Sequence, residues 1–296
     1  MTSKDVMFNG LRVGEAQRAC VSPLKDAGID EPVLEARLLV GFVLGGGPER
    51  VLMDRDEMLS DTQASKLSVV LAQRSGRMPM AQILGVREFW SLPFKVTSAT
   101  LSPRPDSETI VEAALNHVSI APATVLDLGT GTGCLVLALL SEWKNARGTA
   151  VDVSAETLSV ATENAKVLDL SARVKWLQND WTIEGWMESL GGPFDVVVSN
   201  PPYIPSADIA GLDADVRAYE PLGALDGGVS GLDAYRILCA ALPRLLTNGG
   251  LAVFEVGIGQ GDDVTTLMEQ AGLDVIEQRQ DLGGIVRAIV GRNTPH

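Results

Sequence analysis

The spacing of apolar residues changes twice along the chain, and each change marks an expected boundary. Between residues 10 and 75 the apolar positions recur at helical intervals. Leu34, Leu38 and Leu39 form one such stripe behind Asp30, a candidate N-cap, and Pro32, which suits a first helical turn. Gly45-Gly46-Gly47-Pro48 stops that helix. Ser60 is a candidate cap for another helix running to about Ser75, with Leu67, Val70 and Leu71 on its apolar face. The arginines here (Arg18, Arg37, Arg50, Arg55, Arg74 and Arg77) are expected on solvated faces. Over residues 82–103 aromatic and β-branched residues alternate around Leu92-Pro93, which predicts a hairpin. Asp106 or Ser107 then caps a helix reaching His117, a residue expected to pack or face solvent. From Thr124 onward short β-branched runs alternate with helical stretches. Strands are predicted at 125–128, 149–153, 174–177, 195–199, 251–255, 275–278 and 285–290, with helices at 155–168 and 231–246 among the connections. The pattern predicts an α/β fold: a doubly wound, seven-stranded sheet of parallel βα units with an antiparallel hairpin at its edge. Three segments are expected: a helical domain (1–81), a hairpin linker (82–103) and the sheet domain (104–296).

One predicted strand ends in an unusual way. The buried run Val196-Val197-Val198 leads through Ser199 into Asn200-Pro201-Pro202-Tyr203. Proline cannot donate to a strand ladder, so the strand stops there, and the residue before a proline is held extended. In open α/β sheets ligands bind at the carboxyl ends of strands. The Asn200 side-chain carbonyl and the Pro201 backbone carbonyl are two acceptors suited to one planar NH2 group, and Tyr203 offers a face for a flat group. Two acceptors on such a nitrogen favour a pyramidal geometry and localise its lone pair, which is electrostatic preparation for attack without a metal or a strong base.

Seventy residues upstream, Val125-Leu126-Asp127-Leu128-Gly129-Thr130-Gly131-Thr132-Gly133-Cys134 reads as strand, glycine turn and helix start. Such a loop brings backbone close to a ligand and presents free N–H groups. It lacks the Gly-Lys-Ser/Thr of a phosphate-binding loop, and Cys134 stands where a dinucleotide fingerprint wants a small glycine. A methyl-donor loop of the form Gly-x-Gly-x-Gly fits as written. Asp152 ends the next strand, where an acid can accept both ribose hydroxyls. Asp180, in Asn179-Asp180-Trp181 after the third strand, can accept from an adenine amino group, and Trp181 can pack on the purine. This succession (glycine loop, ribose acid, adenine acid, acceptor turn) describes a site for S-adenosylmethionine (SAM) with its methyl aimed at Asn200. Tyr219-Glu220-Pro221 and Ala224-Leu225-Asp226-Gly227-Gly228 form a glycine-rich stretch after the acceptor turn, either a closing loop or a surface connection.

Composition narrows the classes. The 296 residues are 46% hydrophobic and 21% charged, as in a globular enzyme. The formal net charge of −14 speaks against sequence-independent nucleic-acid binding, which needs a basic footprint, and suits a basic protein partner. Cys20, Cys134 and Cys239 lie far apart and only His117 and His296 could join them, so no metal site is expected. The low, odd cysteine count fits a reducing cytoplasm. No signal-like N-terminus and no membrane-length apolar run is seen, so no membrane partner is expected. Cys134 is expected to be a small packing residue.

Together these motifs resemble the HemK/PrmC-type peptide chain release factor N5-glutamine methyltransferases over nearly the full length. The resemblance rests on Gly28-Ile29 with Glu35-Ala36-Arg37-Leu38-Leu39, on Gly85-Val86-Arg87-Glu88-Phe89-Trp90, and on Pro103-Arg104-Pro105-Asp106. It continues through the glycine loop, Asn179-Asp180-Trp181, Ser199-Asn200-Pro201-Pro202-Tyr203-Ile204, Glu220-Pro221, and Ala224-Leu225 with Gly231. Asn-Pro-Pro-Tyr is shared with enzymes that methylate amino groups of DNA and RNA; the Arg-Glu-Phe-Trp hairpin and the helical N-terminus are far more specific. The resemblance implies a Rossmann-like (class I) methyltransferase domain and an N-terminal helical bundle that binds the release factor. It implies methylation of the glutamine in the Gly-Gly-Gln loop of bacterial class 1 release factors. In that family the positions equivalent to Gly129, Thr130, Gly131, Thr132, Gly133, Asp152, Trp181 and Asn200 bind SAM, and those equivalent to Asn200, Pro201, Pro202 and Tyr203 hold the glutamine. A cytoplasmic monomer is expected. Ser102, Ser107 (where Thr is usual) and the stretch 283–287 depart mildly from the family pattern. An adenine-N6 methyltransferase acting on nucleic acid and a non-catalytic SAM-binding docking module are the alternatives.

Overall fold

A computed structural model describes residues 7–294. The chain divides into two compact units: the described residues up to Gly85 together with Asp213–Tyr219, and Val86–Leu212 together with Glu220 onward.

The first unit is helical: α1 Val13–Asp26, α2 Pro32–Val43, α3 Glu49–Met53, α4 Asp61–Ser75 and α5 Met80–Leu84. Val13, Ala16, Cys20 and Leu24 lie on one stripe of α1 and join Ala36, Leu39 and Val40 of α2 and Leu67, Val70 and Leu71 of α4 in a single core. Ser60 caps α4 as expected: its Oγ accepts from Gln63 N (3.3 Å), and Gln63 Oε1 accepts from Ser60 N (2.9 Å). Asp30 does not cap α2. Glu31 holds that position without a side-chain bond, and Pro32 opens the helix. Arg74 departs from the solvated face expected for it. It is 6% exposed, and its guanidinium donates to Glu35 (2.5 and 3.0 Å) and to Asp215 (2.8 Å). Asp215 also accepts from Arg77 (2.6 Å), so the short helix Ala214–Tyr219 is tied to this unit by ion pairs. An intervening sequence of more than a hundred residues hid that partner.

The second unit opens with a hairpin of β1 (Val86–Phe89) and β2 (Leu92–Lys95). Its turn is Trp90-Ser91, two residues before the expected centre, and both residues have positive φ, 53° and 58°. Trp90 is held there by Glu108, which accepts from its N–H (2.7 Å), and by Glu142, which accepts from its indole (2.8 Å). Pro93 is tolerated inside β2 because a two-stranded ribbon leaves one side of each strand unpaired. Phe89 and Phe94 meet edge-to-face and enter the core of this unit.

The main sheet contains β3 (Thr124–Leu128), β4 (Arg147–Asp152), β5 (Val174–Gln178), β6 (Phe194–Ser199), β7 (Leu246–Glu255), β8 (Asp274–Gln280) and β9 (Val286–Arg292). Its order is β5-β4-β3-β6-β7-β9-β8. The first five are parallel, and β9 runs antiparallel between β7 and β8, so β8 is the edge. This is the predicted seven-stranded doubly wound sheet. Successive residues of the central strands point to opposite faces. Val125, Val196, Val198 and Val253 pack under α6 (Glu108–His117) and α7 (Cys134–Glu142); Leu126, Val197, Ala252 and Phe254 pack under α10 (Asp233–Leu245) and α11 (Gly261–Gln270). Because both faces are covered, these strands read as unbroken apolar runs. His117 packs at the end of α6 with its Nε2 2.7 Å from Glu277. No described helix is long and apolar enough to cross a membrane.

Candidate active site

The strand order reverses between β3 and β6, and the sheet unit carries a cavity of about 880 Å³ outside the carboxyl ends of its strands. The cavity is lined by Gly129, Thr130, Gly131 and Thr132 after β3, and by Asp152 at the end of β4. Asn179, Asp180 and Trp181 after β5 line it too, with Asn200 and Pro202 after β6. Residues far apart in sequence thus open on one space. Since β4 lies between β3 and β5, their order along the sheet edge is Asp180, Asp152, glycine loop, Asn200.

Each candidate side chain keeps capacity for a ligand. Asp152 accepts from Gly131 N on one oxygen and from Ser154 N on the other, both at 3.0 Å. Two carboxylate oxygens offer about four acceptor positions, so both retain one. Burial raises the Asp152 pKa, and the backbone donors work against that rise. Asp180 takes both Thr182 donors on Oδ1 (2.8 and 2.6 Å), which lowers its pKa and leaves Oδ2 without a partner among the described residues. Gly129 has φ +73°, and a Cβ there would lie 3.2 Å from the Trp181 ring, so this turn needs glycine to let the indole close over it. Gly133 is buried at the N-cap of α7 rather than on the cavity wall. Cys134 behaves as packing: burial pushes its thiol up to about 12, far from a reactive thiolate.

The acceptor turn is fastened from behind. The loop that follows it returns as a partner: Ile204 N donates to Leu225 O (3.0 Å), Gly227 N to Ile204 O (2.9 Å) and Gln260 Nε2 to Tyr203 O (2.9 Å). A Cβ on Gly231 would lie 2.3 Å from Tyr203 O, so only glycine lets the loop approach this closely. The stretch 224–231 therefore braces the turn. Pro201 is buried. Tyr203 is half-buried, with its hydroxyl toward Glu255 Oε1 (3.5 Å), and its ring is not among the cavity-lining groups.

Two polar residues that contact the turn, Ser107 on the cavity wall and Glu255 beneath it, were read from sequence only as ordinary structure. Ser107, expected as a helix cap, makes no capping bond; its Oγ donates to Glu255 Oε2 at 2.5 Å. Asn200 Nδ2 donates to the same Oγ at 3.3 Å. Glu255 ends β7 at 2% exposure, and its pKa is pushed up to about 7, chiefly by burial. The available signal was a carboxylate closing the apolar strand Leu251-Ala252-Val253-Phe254-Glu255 at the ligand-binding edge. A second charged pair borders the cavity: Arg104 donates to buried Glu220 (2.7 Å), whose Oε1 has no partner among the described residues. No group of His, Cys, Asp and Glu able to hold a metal occurs among the described residues.

Comparisons with known proteins agree with this architecture. The family described as PrmC N-terminal domain matches residues 15–85, and that described as methyltransferase small domain matches residues 107–211. The chain is 44% identical over 269 residues to a release factor glutamine methyltransferase of Rhodospirillum rubrum, spanning 91% of this chain and 81% of the relative. It is 40% identical over 293 residues to the protein of that description in Bradyrhizobium diazoefficiens, spanning 97% of each. Among solved structures, a methyltransferase from Pyrococcus furiosus aligns with 76% of this chain and 100% of its own at 17% identity and a TM-score of 0.53, a likeness of fold alone.

Proposed function

The chain belongs to the release factor glutamine methyltransferase family, and from that premise we propose that it methylates the side-chain amide nitrogen (N5) of the glutamine in the Gly-Gly-Gln motif of class 1 release factors, with SAM as methyl donor. The observation that carries this reading is the orientation of Asn200. Its NH2 donates to Ser107, which leaves Oδ1 without a partner among the described residues on a side chain that lines the cavity. An enzyme that receives a substrate NH2 needs an acceptor there.

The cavity residues fit the donor. Asp152 retains acceptor capacity for ribose hydroxyls, Asp180 Oδ2 for an adenine amino group, and Trp181 a face for the purine. The loop from Gly129 to Gly133 offers backbone N–H groups beside α7. Bound SAM supplies an electrophilic sulfonium methyl. Asn200 Oδ1 and the Pro201 carbonyl accept the two amide hydrogens of the substrate, with Pro202 on the cavity wall and Tyr203 supporting the turn. Holding both hydrogens orients the nitrogen lone pair and concentrates electron density on it, so positioning and electrostatics carry the rate. The nitrogen would gain the methyl group as the donor's S–CH3 bond breaks, leaving a neutral thioether, and would then release one proton to solvent; no titrating base contacts the site in this reading.

Residues 1–81 serve in this proposal as the release-factor docking domain, and 82–103 as the hairpin linker to the domain at 104–296. The proposal takes the enzyme to act in the cytoplasm, where translation terminates, and to act as a monomer. The net charge of −14 suits a basic protein substrate better than a nucleic acid. Transfer of labelled methyl from SAM to purified class 1 release factor tests the reading. Label is expected in the wild-type factor and absent from its Gln→Ala variant. Label in nucleic acid would favour the adenine-N6 alternative, and SAM binding without any transfer would favour the docking module.

A further inference from the structure

The orientation of the Asn200 amide is decided by Ser107 at the cavity edge and by Glu255, which does not line the cavity. A primary amide has an acceptor on one side and two donors on the other, so a half-turn about its last bond would present NH2 to the incoming amide and repel it. The hydrogen bonds through Ser107 prevent that rotation. Glu255 is acceptor-only when ionised, so the single Ser107 hydroxyl proton points to its Oε2 (2.5 Å). The Ser107 oxygen then has only acceptor positions left, and it takes a hydrogen from Asn200 Nδ2 (3.3 Å). We propose that Ser107 and Glu255 are positioning residues for methyl transfer: a one-way chain from Asn200 through Ser107 to Glu255 turns the Asn200 carbonyl into the acceptor cavity. This proposal deepens the function proposed above and rests on it for its kinetic consequences.

The chain is enclosed. Ser107 is 3% exposed and borders the cavity, whereas Glu255, 2% exposed, is not among its lining residues. Other groups hold Glu255 from several elements. Tyr203 approaches its Oε1 (3.5 Å), and Tyr235 of α10 donates to its backbone carbonyl (2.7 Å). Arg287 of β9 sits near it, engaged with Asp106 (2.9 Å) and Asp281 (3.1 Å), and the Cys134 thiol faces it from α7. Of the charged neighbours, Arg287 favours the ionised carboxylate and Asp106 opposes it. A protonated Glu255 becomes a donor. It can then give its hydrogen to Ser107, free the serine proton to point at Asn200, and reverse the amide. Ionisation of a group out of reach of the substrate thereby gates the acceptor.

Two measurements on the full-length protein test this. In the first, kcat and KM for release factor are followed from pH 5.5 to 8.5. Wild-type kcat is expected to rise with pH along a limb centred near 7. Ser107→Ala is expected to lower kcat about a hundredfold, the scale of a small misplacement, with SAM affinity within about twofold of wild type. Ser107→Thr, which keeps the hydroxyl, restores most of kcat. Glu255→Gln, which cannot ionise, loses the limb. Ser107→Ala with unchanged kcat, or a limb that survives in Glu255→Gln, overturns the proposal. The second measurement needs neither substrate nor a folding variant: the side-chain NH2 signals of Asn200 are followed by 15N NMR. They are expected to titrate with Glu255, and a pH-independent Asn200 signal overturns the chain. If wild type fails to methylate release factor, the function proposed above falls, and the NMR titration still decides whether the chain orients Asn200.

Discussion

A carboxamide reads the same in a sequence whichever way its ends point, yet only one orientation of Asn200 leaves an acceptor for a substrate amide. Asn200→Ala removes that acceptor while leaving Asp152, Asp180 and the glycine loop in place. Methyl transfer is expected to fall by about a hundredfold or more, the range seen when one oriented group at a reacting centre is lost. SAM affinity measured by calorimetry should change by less than tenfold, because Asn200 borders only one end of the donor site; loss of SAM binding of the same size as the loss of rate would give Asn200 a different role. Glu255 carries a second prediction at this scale. Its folded pKa lies above the ordinary carboxylate value, mainly through burial. A group raised on folding contributes stability that is complete below its unfolded pKa and lost as pH rises through its folded one. The protein should therefore be more stable to urea at pH 5.5 than at pH 8. Glu255→Gln should recover roughly 1–3 kcal/mol at pH 8, at about 1.4 kcal/mol per pKa unit. Asp127, also fully buried and pushed up to about 7 by burial, adds to the wild-type slope in the same direction. A wild-type midpoint flat over this range would contradict the assignment. Stability and activity then respond to pH in opposite senses through the same carboxylate.

Among the elements, α8 (Ala155–Val167) does more than cover the sheet. Asn164, 1% exposed, accepts from Lys95 N (2.7 Å) and donates to Lys95 O (3.2 Å) and Thr132 O (2.9 Å). One side chain thus joins the hairpin, the helix and the glycine loop. Asn164→Ala leaves three backbone groups without it; a lost buried partner costs about 1–3 kcal/mol. The denaturant midpoint should fall accordingly, and SAM affinity should weaken with it because Thr132 borders the cavity. A stability loss with unaltered SAM affinity would show that the loop holds itself. The cap of α4 offers a milder test: Ser60→Ala should cost about 1 kcal/mol.

For the whole molecule, chain order and spatial order part company. The chain leaves the sheet unit after Leu212, contributes Asp213–Tyr219 to the helical unit, and returns at Glu220. Within the helical unit the join is ionic: Arg74 between Glu35 and Asp215, with Arg77 on the other Asp215 oxygen. Removing one partner of a buried pair is costly because it strands the other charges. Arg74→Ala is expected to destabilise the helical unit by about 3 kcal/mol and to speed proteolysis between residues 210 and 220. A variant as resistant as wild type would mean that the segment is held by other contacts.

Periodicity and turn chemistry determined most of the architecture. Apolar runs of four or five residues between helical stretches specify a sheet covered on both faces. Glycine and proline fixed in place the loops after β3 and β6, because their backbone restrictions act locally. The cavity residues Gly129, Asp152, Asp180, Trp181 and Asn200 were legible for the same reason: each sits at a strand's carboxyl end, a place sequence can identify. Tertiary structure decided what depended on neighbours distant along the chain. It set the order of those residues along the sheet edge, turned Ser107 from a helix cap into the partner of Glu255, buried Arg74 beside Asp215, and chose which end of Asn200 meets the cavity. Hydrogen-bond direction and burial are properties of pairs, and the pairs that matter here are separated by 93 residues for Asn200 and Ser107 and 148 for Ser107 and Glu255.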